Sequence, residues 1–368
     1  MTDFAAGIFN SLSDELRATP QPDKWHGEGD VYTHTNMVCD ALRSMPDYQK
    51  LPETQQDLLL AAAQLHDIGK IPTTRQILGQ TEAQHHAPVG SRMARERLWL
   101  AGMCGSAELI ARRETICRLI RYHSFPPHAI ESDDASRRLL RIASASRLLP
   151  DFSLRLLCIL AKADMLGRIC DDNSQMLDNI ALCEELAGEE DCLDSCFPFP
   201  SRYTERAYLS GRDVWKDQML YDDTWGTVYL MSGLPGTGKD TWIRKNLPDI
   251  PMISLDEIRR QQKISPTKSQ GIVANLAKER AKEYLRRHQS FVWNATNITH
   301  TMRQQLVSLF ESYKAGVHII YLETDWQTLL ERNASREDVV PQSAIEAMLG
   351  KLEPPEVHEA AQLDWISV

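Results

Sequence analysis

The stretch that decides the fold is Gly-Leu-Pro-Gly-Thr-Gly-Lys-Asp-Thr at residues 233–241. It follows an apolar run at 228–231 and precedes a helical pattern, which is the order of a strand, a turn and a helix. In that arrangement backbone N–H groups converge at a helix N-terminus and attract phosphate oxygens. Lys239 would then reach the β- and γ-phosphates of a nucleotide. The stretch therefore predicts a nucleotide site within an α/β domain.

The position after the lysine departs from the strict form of this loop. A Ser or Thr hydroxyl normally ligates Mg²⁺ there, whereas this chain has Asp240 followed by Thr241. Either the Asp240 carboxylate or the Thr241 hydroxyl could supply the contact, and the sequence leaves both open. The predicted cofactor is ATP or another NTP with Mg²⁺. The positions predicted to bind it are Gly233, Pro235, Gly236, Thr237, Gly238, Lys239, Asp240 and Thr241.

Apolar patterns around the loop predict a multidomain chain, and 368 residues suit two domains. Residues 1–195 repeat apolar positions at three- and four-residue spacing and show almost no strand pattern, which predicts an all-α domain. Residues 196–226, with Phe-Pro-Phe-Pro and further aromatic residues, are predicted to be a packed linker. In residues 227–368 short apolar runs alternate with amphipathic stretches, which predicts a parallel sheet flanked by helices. The runs lie at 228–231, 252–253, 291–293, 317–322 and 365–366.

The formal net charge of −10 argues against a protein that coats nucleic acid non-specifically. Residues 251–300 nevertheless carry nine basic and four acidic side chains. This segment could hold the phosphates of a strand end, or its lysines and arginines at 278–287 could form an ordinary solvated helix face. No apolar run approaches the roughly 20 residues that span a bilayer, and the N-terminus lacks a signal pattern. A cytoplasmic protein with no membrane partner and with reduced cysteines is expected.

Side chains downstream of the loop suit phosphoryl transfer. Asp256 lies where the second strand should end, and a carboxylate there can accept the proton of an attacking hydroxyl. Ser254 and Glu257 also form a capping-box pattern, so Asp256 could serve the helix dipole as well. Arg332 and Arg336 are one helical turn apart, so both could stabilise charge on the transferred phosphoryl group. An exposed, salt-bridged helix is the alternative for these arginines.

The helical half carries a set of histidines and carboxylates. His66-Asp67 ends a predicted helix just before Gly69, which is expected to terminate the turn. Asp164 lies in an apolar helical stretch, where a cation would offset the cost of burying its charge. Imidazole and carboxylate ligands suit Mn, Fe, Co, Ni or Zn, and such an ion activates water for phosphoester hydrolysis. One or two ions are expected, with the ligands His34, His66, Asp67, His86, His123 and Asp164. Taken alone, His86 and His123 could instead be ordinary core histidines.

Residues 225–368 resemble the polynucleotide 5′-kinase family of P-loop phosphotransferases. The resemblance lies in the loop, the Asp256-x-x-Arg259 element, the Asn-Ala-Thr-Asn stretch at 294–297 and the Arg332-Asn-x-x-Arg336 lid. It implies that Asp256 is the general base for a 5′-hydroxyl and that Arg259 contacts the phosphate of the acceptor strand. The implied catalytic residues of the kinase are Lys239, Asp256, Arg332 and Arg336.

Residues 25–185 resemble the HD phosphohydrolase superfamily. The resemblance lies in the order of the histidines and aspartates along the chain, and in two cationic residues that follow Asp67 and Asp164. It implies that Lys70 and Arg168 bind the substrate phosphate, and Arg168 lies one helical turn from Asp164 on the same face. The set is His34, His66-Asp67-x-x-Lys70, His86, His123 and Asp164-x-x-x-Arg168.

The order of the two domains resembles that of the bacterial HD-Pnk end-healing enzymes. That layout implies NTP-dependent phosphorylation of 5′-OH ends and metal-dependent hydrolysis of 2′,3′-cyclic, 2′- or 3′-phosphate ends. The implied partners are RNA or DNA strand ends and a nucleic acid ligase in the same pathway. Two alternatives share these motifs. One is a small-molecule (nucleoside or metabolite) kinase fused to a nucleotide phosphohydrolase, and the other is a nucleotide-binding regulatory protein with an HD sensor domain.

Overall fold

The structure is a computed structural model that describes residues 2–22, 24–264, 270–336 and 338–368. The chain divides into two compact units between Pro198 and Phe199, and the short segment Cys104–Ala107 is grouped with the second unit. Among the described residues, no helix has both the length and the apolarity needed to cross a membrane. The eight cysteines, all within the described ranges, are free thiols.

The first unit is helical, as predicted. Asp30 begins one of its helices by accepting a 2.8 Å hydrogen bond from the Thr33 backbone N–H, and Ser153 caps another through the Leu156 N–H at 3.3 Å. Short 3-10 helices cover Pro126–Glu131 and Ser144–Arg147. The α-helices are α1 (Thr2–Ser11), α2 (Ser13–Arg17), α3 (Val31–Ser44), α4 (Pro46–Gln49), α5 (Glu53–Leu65), α6 (Lys70–Thr73), α7 (His86–Leu100), α8 (Ala107–Tyr122), α9 (Ala135–Ala143), α10 (Leu154–Leu166) and α11 (Ser174–Glu189).

A short antiparallel hairpin interrupts these helices, and the sequence did not predict it. Its strands are β1 (Arg75–Ile77) and β2 (Gln80–Glu82). Leu78 and Gly79 form the turn with φ angles of 52° and 79°, which is the left-handed pair of a two-residue type I′ turn. Strands of three residues are too short for an alternating apolar pattern to reveal them.

The second unit is an α/β domain with a five-stranded parallel sheet, in the strand order β4-β5-β3-β6-β7. Each of the five predicted apolar runs lies in one of its strands. A 3-10 helix covers Val357–Glu359. The elements are α12 (Arg202–Leu209), β3 (Thr227–Ser232), α13 (Lys239–Asn246), β4 (Met252–Ser254), α14 (Leu255–Gln262), α15 (Gln270–Arg286), β5 (Phe291–Asn294), α16 (His300–Glu311), β6 (Gly316–Glu323), α17 (Trp326–Ala334), α18 (Gln342–Leu349) and β7 (Gln362–Ser367).

The central strand β3 places the glycine-rich loop at the middle of the sheet. Leu230 of β3 pairs with Trp293 of β5 and Ile319 of β6, and all three pack in the same buried apolar cluster. The next residue, Met231, faces the opposite side and packs with Ile320. After β3 the chain passes to β4 at one edge of the sheet and returns to β5 beside β3. It then passes to β6, which pairs with the opposite side of β3. Ligands of open α/β sheets bind at the carboxyl end of such a central strand, where the connections diverge.

The aromatic-rich segment before β3 packs on this second unit. It contains α12, from which Arg206 pairs with Glu311 of α16 through Nε and Oε1 at 3.1 Å. The Trp225 indole donates a 2.7 Å hydrogen bond to the carbonyl oxygen of Tyr313. The region expected to be a packed linker therefore includes a helix and is held to the α/β domain by polar contacts.

Candidate active sites

Three helices of the first unit bring the first four predicted metal ligands together. His34 projects from α3, the His66-Asp67 pair follows the end of α5, and Asp164 lies near the end of α10. His34 Nε2 lies 3.0 Å from Asp164 Oδ1 and 3.7 Å from Asp67 Oδ2. His66 Nε2 lies 3.2 Å from the same Asp67 oxygen. All four side chains are at most 2% exposed, so imidazole nitrogens and carboxylate oxygens converge in the interior of the unit.

The other two predicted histidines lie on the far side of Asp67. His86 is the first residue of α7, and His123 directly follows α8. Their Nε2 atoms are 3.3 Å apart, and Asp67 Oδ1 lies 3.4 Å from His86 and 3.9 Å from His123. The Asp67 carboxylate therefore has one oxygen toward His34 and His66 and the other toward the second pair. A shared carboxylate of this kind suits two neighbouring cations.

Backbone contacts orient three of these imidazoles. The Nδ1 atoms lie 2.7 Å from the Ala63 carbonyl oxygen for His66, 2.9 Å from that of Ala83 for His86, and 2.7 Å from that of Ile120 for His123. A carbonyl can only accept, so each Nδ1 carries a proton, and in the neutral form of each ring the Nε2 lone pair faces the cluster. Metal-binding histidines are generally held in this way by a partner of the second nitrogen.

Two polar atoms in the cluster fit a bound cation. Within the described residues, His66 Nε2 and Asp67 Oδ1 are buried and have no hydrogen-bond partner. Buried polar groups are nearly always paired, and an ion would supply the missing partner. Ligand atoms of His34, His66 and Asp164 lie within 4.8 Å of one another, as do those of His66, Asp67 and His123. The donor set fits the divalent transition metals that the sequence predicted.

The electrostatics keep Asp67 and Asp164 ionised and His123 neutral, which are the forms that a metal requires. At His34, burial alone would lower the pKa, but the contacts with Asp164 and Glu28 outweigh it and raise that pKa. Burial alone would raise the pKa of Asp67, but the charges of His66 and Lys70 outweigh it and hold that pKa well below its usual range. Burial is likewise outweighed at Asp164, where the Arg168 charge holds the pKa well below its usual range. Burial lowers the pKa of His123 to about 3. Ionised carboxylates and a neutral imidazole are the forms that coordinate cations.

The two predicted phosphate ligands lie at this cluster and contact its carboxylates. Lys70 begins α6 and places Nζ 2.7 Å from Asp67 Oδ2 and 2.5 Å from the Gln21 side-chain oxygen. Arg168 follows the end of α10 and donates to both Asp164 oxygens, at 3.3 Å from Nε and 2.8 Å from a terminal nitrogen. Both cationic groups are thus adjacent to the proposed metal ligands.

Gly69 lies at the end of the turn that follows His66-Asp67, and α6 begins at the next residue. Its φ of −67° is one that any residue adopts, so the backbone angle does not require glycine. A Cβ atom at Gly69 would lie 2.0 Å from the His86 carbonyl oxygen and 2.5 Å from the Gly90 nitrogen. Glycine is required because the segment after His66-Asp67 packs directly against the backbone of α7. This contact sets the position of His86 relative to Asp67.

His26 and Glu28, which the sequence reasoning missed, adjoin the cluster. They lie in the loop before α3, and together with His34 they place three ligand-type atoms within 4.8 Å of one another. A polar loop has no periodicity, so the sequence showed only that a histidine and a carboxylate precede His34 by a few residues.

The glycines of the loop at 233–238 are needed for its shape in the second unit. Gly233, Gly236 and Gly238 have φ angles of 140°, 84° and 87°, in the region that side chains rarely adopt. A Cβ at Gly233 would also lie 2.4 Å from the Leu322 carbonyl oxygen, and one at Gly236 would lie 2.7 Å from that of Leu329. The loop is therefore pressed against the end of β6 and the middle of α17.

Side chains inside the loop hold its closed form. Lys239 Nζ donates to the carbonyl oxygens of Gly233 and Leu234 at 2.9 and 2.7 Å, and burial lowers its pKa to about 8. The buried Thr237 hydroxyl donates to the Leu234 carbonyl at 2.9 Å, and Pro235 is buried beside it. The Lys239 side chain thus folds back onto the loop that the sequence predicted to bind phosphate.

The two candidates for Mg²⁺ contact differ in their surroundings. The Asn294 amide at the end of β5 donates a 2.5 Å hydrogen bond to Asp240 Oδ1. The exposed Thr241 hydroxyl instead accepts from a terminal nitrogen of Arg244 at 3.3 Å. Asp240 is therefore oriented by the neighbouring strand of the sheet, whereas Thr241 faces its own helix.

The predicted base, Asp256, lies near the predicted arginines at the carboxyl ends of the strands. Asp256, in the first turn of α14, lies 2.5 Å from a terminal nitrogen of Arg259 and 3.6 Å from one of Arg336. Arg332 lies over the loop, because a Cβ at Gly238 would be 3.3 Å from its guanidinium. The expectation that both lid arginines share one helix was wrong. Helix α17 ends at Ala334, so Arg336 follows it and reaches Asp256 from the next turn.

These arrangements define two classes of site, an HD-type metal cluster and a P-loop, kinase-like nucleotide site. Residues 31–167 match the family model for the HD domain, and residues 228–355 match a family model described as an AAA domain. The chain thus joins an HD domain to a P-loop, kinase-like domain. Over 149 residues it is 25% identical to an L-seryl-tRNA(Sec) kinase of Methanococcus maripaludis. That match covers 38% of this chain and 58% of the relative, so the chain spans well under two thirds of that kinase.

Proposed function

We propose that the protein is a bifunctional nucleic-acid end-healing enzyme, which phosphorylates 5′-OH ends and hydrolyses 2′,3′-cyclic, 2′- or 3′-phosphate ends. The observation that carries the proposal is the pairing, in one chain, of a buried HD ligand cluster with a P-loop that has a carboxylate and arginines beside it. The two chemistries act on opposite ends of a broken strand, and a ligase would seal the product.

In the kinase step the loop backbone and Lys239 hold the nucleotide phosphates. Asp256 accepts the proton of the 5′-hydroxyl, whose oxygen forms a bond to the γ-phosphorus. The bond from that phosphorus to the β–γ bridging oxygen breaks, and the nucleoside diphosphate leaves. Arg332 and Arg336 stabilise the charge on the transferred group, and Arg259 holds the acceptor's phosphate. The contacts around Asp256 support chemistry over simple nucleotide sensing, since a sensor needs no base.

In the hydrolytic step, His34, His66, Asp67 and Asp164 would hold one divalent ion, and His86 and His123 with Asp67 would hold a second. Such ions lower the pKa of bound water and polarise phosphoryl oxygens. Lys70 and Arg168 neutralise and orient the phosphate that is attacked. A water oxygen forms a bond to the phosphorus and gives up a proton, the P–O bond to the ribose oxygen breaks, and that oxygen takes up a proton.

The acceptor of the kinase has a second candidate. The Methanococcus relative is named as a kinase of L-seryl-tRNA(Sec), so a hydroxyl other than a 5′-end could be the acceptor here as well. The excess of basic residues in 251–300 supports a polynucleotide acceptor. Kinase activity on a nucleoside or another small hydroxyl compound, with none on an oligonucleotide, would select a metabolite kinase.

The test supplies γ-labelled ATP with an RNA that bears a 5′-OH and a 2′,3′-cyclic phosphate, over a panel of divalent metals. We expect label at the 5′-end and loss of phosphate at the 3′-end. Lys239→Ala and Asp256→Ala should abolish only the labelling, and Asp67→Ala should abolish only the hydrolysis. Lys245→Ala, at an exposed lysine of α13, is the matched control. No change at either end of the RNA would refute the proposal.

A further inference from the structure

One buried carboxylate beside the HD cluster has three partners. Glu28 Oε1 lies 2.8 Å from His34 Nδ1 and 2.8 Å from His26 Nδ1. Its other oxygen accepts a 2.9 Å hydrogen bond from the Ile169 backbone N–H. The Glu28 side chain is 0% exposed, and that of His26 is 6% exposed. A charge buried this fully persists only where partners compensate for its lost hydration.

His34 is held differently from the other ligand histidines. In the described part of the chain, the Nδ1 atoms of His66, His86 and His123 face backbone carbonyls, whereas that of His34 faces the Glu28 carboxylate. Both kinds of partner keep Nε2 toward the metal position. A carboxylate also adds negative charge, which makes the imidazole a stronger donor to a cation.

Glu28 also forms a hydrogen bond to the segment that carries Arg168. The Ile169 N–H bonds Glu28, and the Gly27 N–H donates a 2.7 Å hydrogen bond to the Ile169 carbonyl. A Cβ at Gly27 would lie 3.0 Å from Ile169 atoms, so the two segments are in direct contact. The loop before α3 therefore fixes the backbone just after Arg168, whose guanidinium bonds both Asp164 oxygens.

We propose that Glu28 is a positioning residue of the HD centre, which orients His34 as a metal ligand and anchors the Arg168 segment that faces the substrate phosphate. The proposal rests on the proposed metal-dependent function of this unit. His26 contacts the same Glu28 oxygen as His34 and helps to hold that oxygen in place. Neither Glu28 nor His26 need touch the metal or the substrate.

The test measures metal binding rather than turnover. Co²⁺ is titrated into the full-length, metal-free protein, and the visible absorption of the bound ion reports its affinity and geometry. Asp67→Ala, which removes the carboxylate shared by both metal positions, provides the blank for Co²⁺ bound elsewhere. We expect Glu28→Gln to weaken Co²⁺ binding by about 10- to 100-fold and to alter its spectrum. At saturating metal, the KM for the phosphoester should also rise, because Arg168 loses its anchor.

Asp30→Asn is the matched control. It removes one negative charge from the same loop, while the asparagine oxygen can still accept from the Thr33 N–H that caps α3. We expect its Co²⁺ affinity and spectrum to equal those of the native protein. Equal affinity in the native protein and Glu28→Gln, or an equal loss in Asp30→Asn, would overturn the proposal.

One outcome separates this inference from the proposed function. A native protein that binds Co²⁺ through Glu28-dependent geometry but hydrolyses no phosphoester refutes the function and leaves the positioning role intact. Should Glu28→Gln fail to fold, Glu28→Asp serves instead, because a carboxylate shorter by one methylene cannot keep contact with both imidazoles and the Ile169 N–H. Native Co²⁺ affinity in that variant would overturn the proposal.

Discussion

ATP binding to the second unit is predicted to take up protons, because Lys239 is half-buried and has a lowered pKa before the nucleotide arrives. Its amine bonds two carbonyl oxygens of the loop, and burial lowers its pKa from 10.5 to about 8. A bound polyphosphate places negative charge beside the amine and keeps it protonated throughout the neutral and alkaline range. Binding to a molecule whose lysine is neutral must therefore draw a proton from solution.

The size of the effect follows from that pKa. At pH 8 half of the free protein carries a neutral lysine, so binding should take up about 0.5 proton per ATP, with about 0.1 at pH 7 and about 0.9 at pH 9. The sign is also fixed: ATP affinity falls as the pH rises through the pKa of the free lysine. Between pH 7.5 and 9.5 the loss should be about 25-fold.

Calorimetric titration in two buffers with different ionisation enthalpies measures the uptake directly. Lys239→Met should bind ATP more weakly and take up no proton. Lys245→Met, at an exposed position of the same helix, should behave as the native protein does. Zero uptake by the native protein at pH 8, or undiminished uptake by Lys239→Met, would refute the reasoning.

Three further predictions concern the second unit. Gly236→Ala should weaken ATP binding at least tenfold in a direct binding assay while sparing phosphoesterase activity, because the residue has a φ of 84° and its Cβ would lie 2.7 Å from the Leu329 carbonyl oxygen. Native affinity would contradict this reading of the loop. Arg303→Met should cost about 3–5 kcal/mol of the free energy of unfolding of this unit in urea, since it leaves the buried Glu359 without its bidentate partner. A double replacement with Glu359→Leu should recover most of that loss, and an unchanged midpoint in the single variant would count against it. Asp240→Thr should bind metal-free ATP at least about fivefold more tightly than the native protein, because a carboxylate near the phosphates repels them by about 1 kcal/mol. Adding Mg²⁺ should close that gap, and a gap independent of Mg²⁺ would exclude Asp240 as the metal contact.

The parts of the fold that follow from sequence are those in which local pattern and burial agree. Apolar runs such as 317–322 predict strands because both faces of a parallel sheet are buried, and each of the five runs lies in a strand. The hairpin at 75–82 has no such signal. Its strands are largely exposed, and only the Leu78-Gly79 turn specifies it.

The sequence predicted which residues belong to the candidate sites, but it could not predict how those residues are arranged in space. The pattern of His66-Asp67 and Asp164 suggested a metal, but the division of the Asp67 oxygens between two histidine pairs depends on how four helices pack. The sequence indicated that Gly69 would end the turn after His66-Asp67, but only the structure shows the backbone of α7 against it. Arg336 was misplaced because helical spacing says nothing about where a helix ends.

Because Gly69 contacts the backbone of α7, both ends of the segment that joins Gly69 to His86 are fixed in position. Because the backbones at Gly69 and Gly90 touch, His86 is held near Asp67 whatever the length of the segment that joins them. The hairpin at 75–82 can therefore be lengthened, shortened or exchanged without changing the ligand spacing. In engineered versions of the protein, we expect changes of length to be better tolerated in this hairpin than at the contact between Gly69 and Gly90.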